Sequence, residues 1–320
     1  MNCNYPYKEI LDWHDQPMPS EITLSDHLGG HRHDMTNSVL DKLNQIAGLL
    51  GKKLSVRYHS ILTTQVSEHY PNLNIIFDYE LQHKFNLKSL ELYTKHPEID
   101  FKNFLCSFNG TAHVGRKLLV SILNRMGMFD SQYCSKNFSY SSNKLDGHIC
   151  EFAKDRDRFY RKFFISTDTD DFFQKIYSFG HVQYDHANNI YNLENKITQS
   201  FIHVVSETMA TSYYPFVTEK FLYSIVTRGL FVAYAQPGWH DHVEKYYGFK
   251  KYAQLFDYAF DSIQNPIERL VQLVSMISKF KTLNPYDWHD LYLLEQDTVE
   301  YNYNHYFSGA YLRQLQKYGQ

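Results

Sequence analysis

Phe201-Ile202-His203-Val204-Val205, followed by Ser206-Glu207, is a short apolar run closed by an acid. It is too short for a helix and too uniformly apolar for a half-exposed strand. It predicts a strand buried on both faces, the kind found in parallel sheets. Such a strand needs helices on each side, and the following residues supply them. A helix is predicted from about Thr218 to Arg228, then the strand Leu230-Phe231-Val232-Ala233-Tyr234, the turn Gln236-Pro237-Gly238 and a helix ending near Gly248. Alternating strands and helices predict an α/β fold with a parallel sheet.

Towards the N-terminus the pattern repeats. Asn103-Phe104-Leu105-Cys106-Ser107-Phe108 reads as a strand, Asn109-Gly110-Thr111 as a polar turn, and Leu118, Leu119, Ile122, Leu123 and Met126 as one helix face. Residues 130–160, rich in Ser, Asn, Lys and Asp, predict a loop-bearing insertion. Residues 21–59 read as a βαβ unit: a strand at Glu21 to His27, a helix from about Met35 to Leu50 with Leu40, Leu43, Ile46, Ala47 and Leu50 at helical spacing, and a strand at Leu54 to Tyr58. A further strand, Leu73 to Tyr79, follows. An amphipathic helix is predicted from Pro266 to Phe280, and the Tyr-rich segment Glu295 to Lys317 reads as helical. The expected organisation is a Rossmann-like lobe over 1–100, a second over 101–290 and a helical tail over 291–320, with the two parallel sheets facing a cleft.

Composition narrows the function. The 320 residues are 43% hydrophobic and 21% charged, which excludes a mainly disordered chain. The most apolar stretch, Phe221 to Ala235, falls short of the ~18 residues of a bilayer span and contains Arg228. Met1-Asn2-Cys3-Asn4-Tyr5-Pro6 has neither a basic nor an apolar leader region, so a soluble, cytoplasmic protein is expected. Cys3, Cys106, Cys134 and Cys150 lack Cys-x-x-Cys spacing and predict reduced thiols. Net charge is −3 overall, distributed as −4 over 1–100, +3 over 101–200 and −2 over 201–320. The middle third is therefore the place for an anionic ligand. The excess is too small for a dedicated nucleic-acid binder.

Ligands of open parallel sheets bind beyond the carboxyl ends of the strands. Arg116 lies early in the helix after Asn103 to Phe108, Glu207 follows Phe201 to Val205, and Glu219-Lys220 opens the next helix. An Arg and a Lys at neighbouring strand ends suit a diphosphate, and a carboxylate beside them suits hydroxyl groups. The bland alternative is that Arg116 pairs with a surface carboxylate and Glu219 caps a helix.

Two blocks then carry a resemblance. Asn103 to Asn109, followed by Arg116 and a helix, resembles the segment that opens the donor lobe of α1,3-fucosyltransferases. Val204-Val205-Ser206-Glu207-Thr208, then Phe216-Val217-Thr218-Glu219-Lys220, then a strand ending Ala235-Gln236-Pro237-Gly238, is similar to that family's second block. The match spans roughly residues 103–240, and the Thr-Glu-Lys run is its specific part. The resemblance implies a GT-B glycosyltransferase that needs no metal and transfers a sugar with inversion from a GDP-sugar or UDP-sugar donor. It implies that Arg116 and Lys220 hold the donor diphosphate, that Glu219 holds ribose or base-proximal hydroxyls, and that Glu207 faces the sugar. Thr208 and Phe216 stand where the family has Asn and Tyr, and the two Glu residues are two positions farther apart. These departures remove hydrogen bonds that would orient guanosine or fucose, so the resemblance leaves the sugar open.

An inverting transfer needs a general base. Asp78 and Glu80, ending the strand Leu73 to Tyr79, are the first candidates, and Asp26, His27, His31, His33 and Asp34 the second. His31, His33 and Asp34 lack a fourth ligand at metal-site spacing, so no metal is assigned. Asp168-Thr169-Asp170-Asp171 reads as a helix cap, and Lys154-Asp155-Arg156-Asp157-Arg158 as a solvated helix face, with Arg156, Arg158, Arg161 and Lys162 the alternative patch for an acceptor's phosphates. The expected acceptor is a glycan hydroxyl. DNA bearing hydroxymethylated pyrimidines is the rival acceptor, and a non-catalytic nucleotide-sugar or glycan-binding module is the rival class.

Overall fold

The structure, a computed structural model, describes residues 3–5, 21–24, 33–58, 69–77, 93, 97–110, 114–138, 171–180, 186–207, 210, 215 and 217–318. It is a mixed α/β protein whose described strands form two parallel sheets of four strands each. In the first sheet β1 (Cys3–Tyr5), β2 (Glu21–Leu24), β3 (Leu54–Tyr58) and β4 (Leu73–Phe77) lie in chain order. Helix α1 (His33–Leu49) joins β2 to β3 and buries Leu40, Leu43 and Ala47. It is pinned by Asn44, whose Oδ1 accepts from the Asn72 backbone N–H at 3.0 Å just before β4. The predicted βαβ unit is therefore present. The three-residue β1, too short to leave a periodic signal, pairs parallel with β2 and was not legible.

The second sheet has the order β6 (Cys134–Lys136), β5 (Asn103–Asn109), β7 (Ser200–Ser206), β8 (Phe231–Tyr234). From β5 the chain runs through α2 (Val114–Arg125) to β6 on one side. It later passes through α4 (His186–Thr198), which follows the short α3 (Asp171–Gln174), to reach β7 on the other side. Every residue of β7 and all but the first of β5 are buried, which accounts for their apolar sequences.

β6 corrects the expectation of a loop over 130–160. Its polar residues hid it from pattern reading. They are buried because neighbours satisfy them: Ser135 Oγ accepts from the Asn109 backbone N–H at 3.4 Å, and Lys136 Nζ donates to the Phe138 carbonyl at 3.0 Å. Cys106 and Cys134 are free, buried thiols.

Among the described residues six α-helices, α5 to α10, follow β7. Helix α5 (Lys220–Val226) precedes β8, and α6 (Trp239–His242) follows it and runs into a π-helical turn at Val243–Tyr247. Helix α7 (Pro266–Ser278) is capped by Asn265, and α8 (Pro285–Leu294) opens with a capping box between Asn284 and Asp287. Helices α9 (Gln296–Phe307) and α10 (Ala310–Gln316) complete the Tyr-rich segment. Their Tyr306, Tyr311 and Leu315 join the same apolar core as β5, β7 and β8. Among the described residues no helix is long and apolar enough to cross a membrane.

Candidate functional site

Because β6 and β7 flank β5 on opposite sides, chain connections diverge between β5 and β7. At such a divergence, beyond the carboxyl ends of the two strands, open α/β sheets bind their ligands. The four charged residues singled out above converge on this edge.

Arg116 is carried there by the first turn of α2. The preceding Gly115 lets the turn approach closely, since a Cβ at that position would stand 2.9 Å from Ala210 Cβ and 3.3 Å from Tyr234 Cε1. The start of α2 is thus wedged against the end of β8 and the segment that follows β7. Arg269, buried in α7, holds the same region together. Its guanidinium donates to the carbonyls of Ala235 at 2.9 Å, Ala210 at 2.5 Å and Gln264 at 3.2 Å, and also to that of Ile263.

Glu207 stands one residue beyond β7 and is fully buried. Its Oε1 accepts from the Thr218 backbone N–H at 3.0 Å and its Oε2 from the Thr218 hydroxyl at 2.6 Å. Lys220 Nζ donates to Thr218 Oγ1 at 2.8 Å and lies 3.7 Å from both Glu207 Oε2 and Glu219 Oε1. Those longer contacts are electrostatic and not hydrogen bonds. Glu219 occupies the N-cap position of α5, but its side chain makes no capping hydrogen bond. The bland alternatives are therefore not what the geometry contains: Arg116 is not a surface group, and Glu219 is not a side-chain cap.

The electrostatics follow from burial. Desolvation lowers the Arg116 guanidinium to about 10, against the pull of Glu207 and Glu219. Desolvation raises Glu207 above the ordinary carboxylate value, opposed by Lys220 and the two Thr218 hydrogen bonds. Buried Arg116 and Glu207 and the partly buried Glu219 and Lys220 thus bring two cations and two carboxylates together at a cost in hydration.

Arg116, Glu207, Glu219 and Lys220 are brought together. Glu207, expected to face the sugar, directs its carboxylate to Thr218. Thr208 and Phe216 lie outside the described residues, as do Asp78, Glu80, Asp26, His27, His31 and residues 154–162. The backbone at His33 and Asp34 opens α1, and their side chains are also outside the description. Of the predicted cap at Asp168 to Asp171, only Asp171 is described, where α3 begins.

Sequence reasoning missed Thr218 as the group that binds Glu207, although the Thr-Glu-Lys run marked the place. It also passed over Asn109 and Ser206, the last residues of β5 and β7. Two buried histidines imitate catalytic pairs and have structural roles. His203 Nδ1 lies 2.7 Å from Ser224 Oγ inside the core. His240 Nδ1 meets Asp261 Oδ1 at 2.8 Å while its Nε2 accepts from the Ala233 backbone N–H at 3.0 Å, so both ring nitrogens are occupied. Among the described residues no three of His, Cys, Asp and Glu are grouped as metal ligands would be. No model of a known protein family, no curated protein and no solved structure matches the chain.

Proposed function

We propose that the chain is an inverting glycosyltransferase of the GT-B type, which takes a GDP-sugar or UDP-sugar donor at the carboxyl edge of the second sheet and moves the sugar to a hydroxyl of a glycan. The observation that carries this reading is the convergence of Arg116, Glu207, Glu219 and Lys220 at the divergence between β5 and β7. Arg116 and Lys220 take the donor diphosphate and stabilise the charge that develops on it as the sugar–oxygen bond breaks. They supply the positive charge the leaving group needs, so the reading includes no metal. Glu219 accepts from donor hydroxyls. Glu207, bound to Thr218, holds the Thr218-Glu219-Lys220 run in place. The acceptor hydroxyl gives its proton to Asp78 or Glu80 and attacks the anomeric carbon from the opposite face, and the nucleoside diphosphate leaves with the bonding electrons.

Calorimetric titration with GDP, UDP and their sugars, followed by a release assay, tests the reading. Micromolar binding together with release of nucleoside diphosphate in the presence of oligosaccharides is expected. Binding without release over hours indicates a non-catalytic module, and release only with hydroxymethylated DNA makes DNA the acceptor. No binding of any nucleotide or nucleotide sugar overturns the proposal.

A further inference from the structure

Asn109 and Ser206 end adjacent strands. The register of β5 against β7 is constant, with Asn103 beside Ser200, Leu105 beside Ile202 and Cys106 beside His203, and its continuation sets Asn109 level with Ser206. Paired residues of neighbouring parallel strands project to the same face of a sheet. Asn109 is completely buried and Ser206 nearly so. Even so, Asn109 Oδ1 and Ser206 Oγ have no hydrogen-bond partner. Buried polar atoms are almost always paired, so two orphans side by side need an explanation.

Their orientation and chemistry supply one. Asn109 Nδ2 donates to Ser107 Oγ at 3.1 Å and to the Ser135 carbonyl at 3.2 Å. Ser107 in turn donates to the Val204 carbonyl at 2.8 Å. Both Nδ2 hydrogens are thereby taken, and Oδ1, on the opposite edge of the amide, is the part left without a partner. Oδ1 can only accept, which repels a phosphate oxygen and calls for a donor. Ser206 Oγ–H can donate as well as accept. One hydroxyl satisfies both at once by donating to Asn109 Oδ1 and accepting from Ser206.

We infer that Asn109 and Ser206 form a specificity site for a single hydroxyl of the ligand bound at the divergence between β5 and β7. The inference rests on the donor-site reading and names what that site reads: a ribose or sugar hydroxyl, next to the charges that take the diphosphate. A water molecule has the same donor and acceptor capacity and is the occupant against which the inference is tested.

The test compares wild type with Ser206→Ala, a near-isosteric change, and Asn109→Ala by calorimetric titration. One arm uses GDP and UDP against their 2′-deoxy and 3′-deoxy forms. The other uses each nucleotide sugar against analogues lacking one sugar hydroxyl. Wild type is expected to bind one deoxy ligand about tenfold more weakly than its parent, the loss of a hydrogen bond to buried partners. Both variants should bind that pair equally. Loss in the first arm assigns the hydroxyl to ribose, and loss in the second assigns it to the transferred sugar. Folded variants that discriminate as wild type does, or a wild type that binds every deoxy ligand as well as its parent, show a water-filled polar hole and overturn the inference while the donor-site reading stands. A wild type that binds none of these ligands overturns both.

Discussion

Glu207 and Thr218 are joined twice, by the Thr218 backbone N–H to Oε1 at 3.0 Å and by the Thr218 hydroxyl to Oε2 at 2.6 Å. The pair closes the segment between them and brings Lys220, which donates to the same Thr218 hydroxyl, to the end of β7. Thr218→Val keeps the side-chain shape and removes the hydroxyl. A buried carboxylate oxygen and an ammonium each lose a partner, so stability is expected to fall by about 1–3 kcal/mol. Denaturant unfolding measures this, and an unchanged midpoint means the double tie does not hold the site.

Arg116→Ala and Lys220→Ala are each expected to weaken binding of GDP or UDP about tenfold or more, because a charge-assisted phosphate contact contributes ~1.5–3 kcal/mol. Titration calorimetry on the folded variants checks this. Wild-type affinity in both would remove these residues from the donor site.

Gly115→Ala places a methyl 2.9 Å from Ala210 Cβ, closer than packed carbons come. The start of α2 must then move away from β8. A loss of about 1–3 kcal/mol of stability is expected from the overpacking. Nucleotide affinity should fall with it, since Arg116 rides on the displaced turn. Intact affinity in a destabilised variant would show that Arg116 does not depend on this close approach.

His203 and His242 set an acid limit. Burial holds each at about 3, well below the ordinary value of 6.5. Both are neutral when folded and take up a proton on unfolding, so their contribution is fully present above pH 6.5 and is lost as pH falls towards about 3. Each adds a slope of ~1.4 kcal/mol per pH unit in that window. His203→Gln should reduce the slope of unfolding free energy between pH 6.5 and 5, and an unchanged slope would show that His203 is not the group responsible.

For the base, Asp78→Asn or Glu80→Gln is expected to lower turnover by ~10²–10⁴ with nucleotide affinity unchanged. If both variants turn over normally, proton transfer belongs to another group, with Asp26, His27, His31 and Asp34 the next to replace.

The apolar runs of β5 and β7 and the helical spacing of Leu40, Leu43 and Ala47 determined the α/β class from sequence, because burial on both faces of a strand and one face of a helix writes a local pattern. The Thr218-Glu219-Lys220 run and Arg116, singled out from the sequence, lie together at the carboxyl edge of the second sheet. Tertiary structure alone decided the rest. β6 became a strand because the Asn109 N–H and the Phe138 carbonyl satisfy its polar side chains, and those partners are not encoded in its own three residues. Glu207 turned to Thr218, eleven positions away, because a buried carboxylate takes the nearest donors and distance in space has no sequence signature. The divergence between β5 and β7, which sets Asn109 beside Ser206, exists only once the strand order is fixed. A sequence gives the order of its strands along the chain, and their order across a sheet depends on which edges the packed helices leave open.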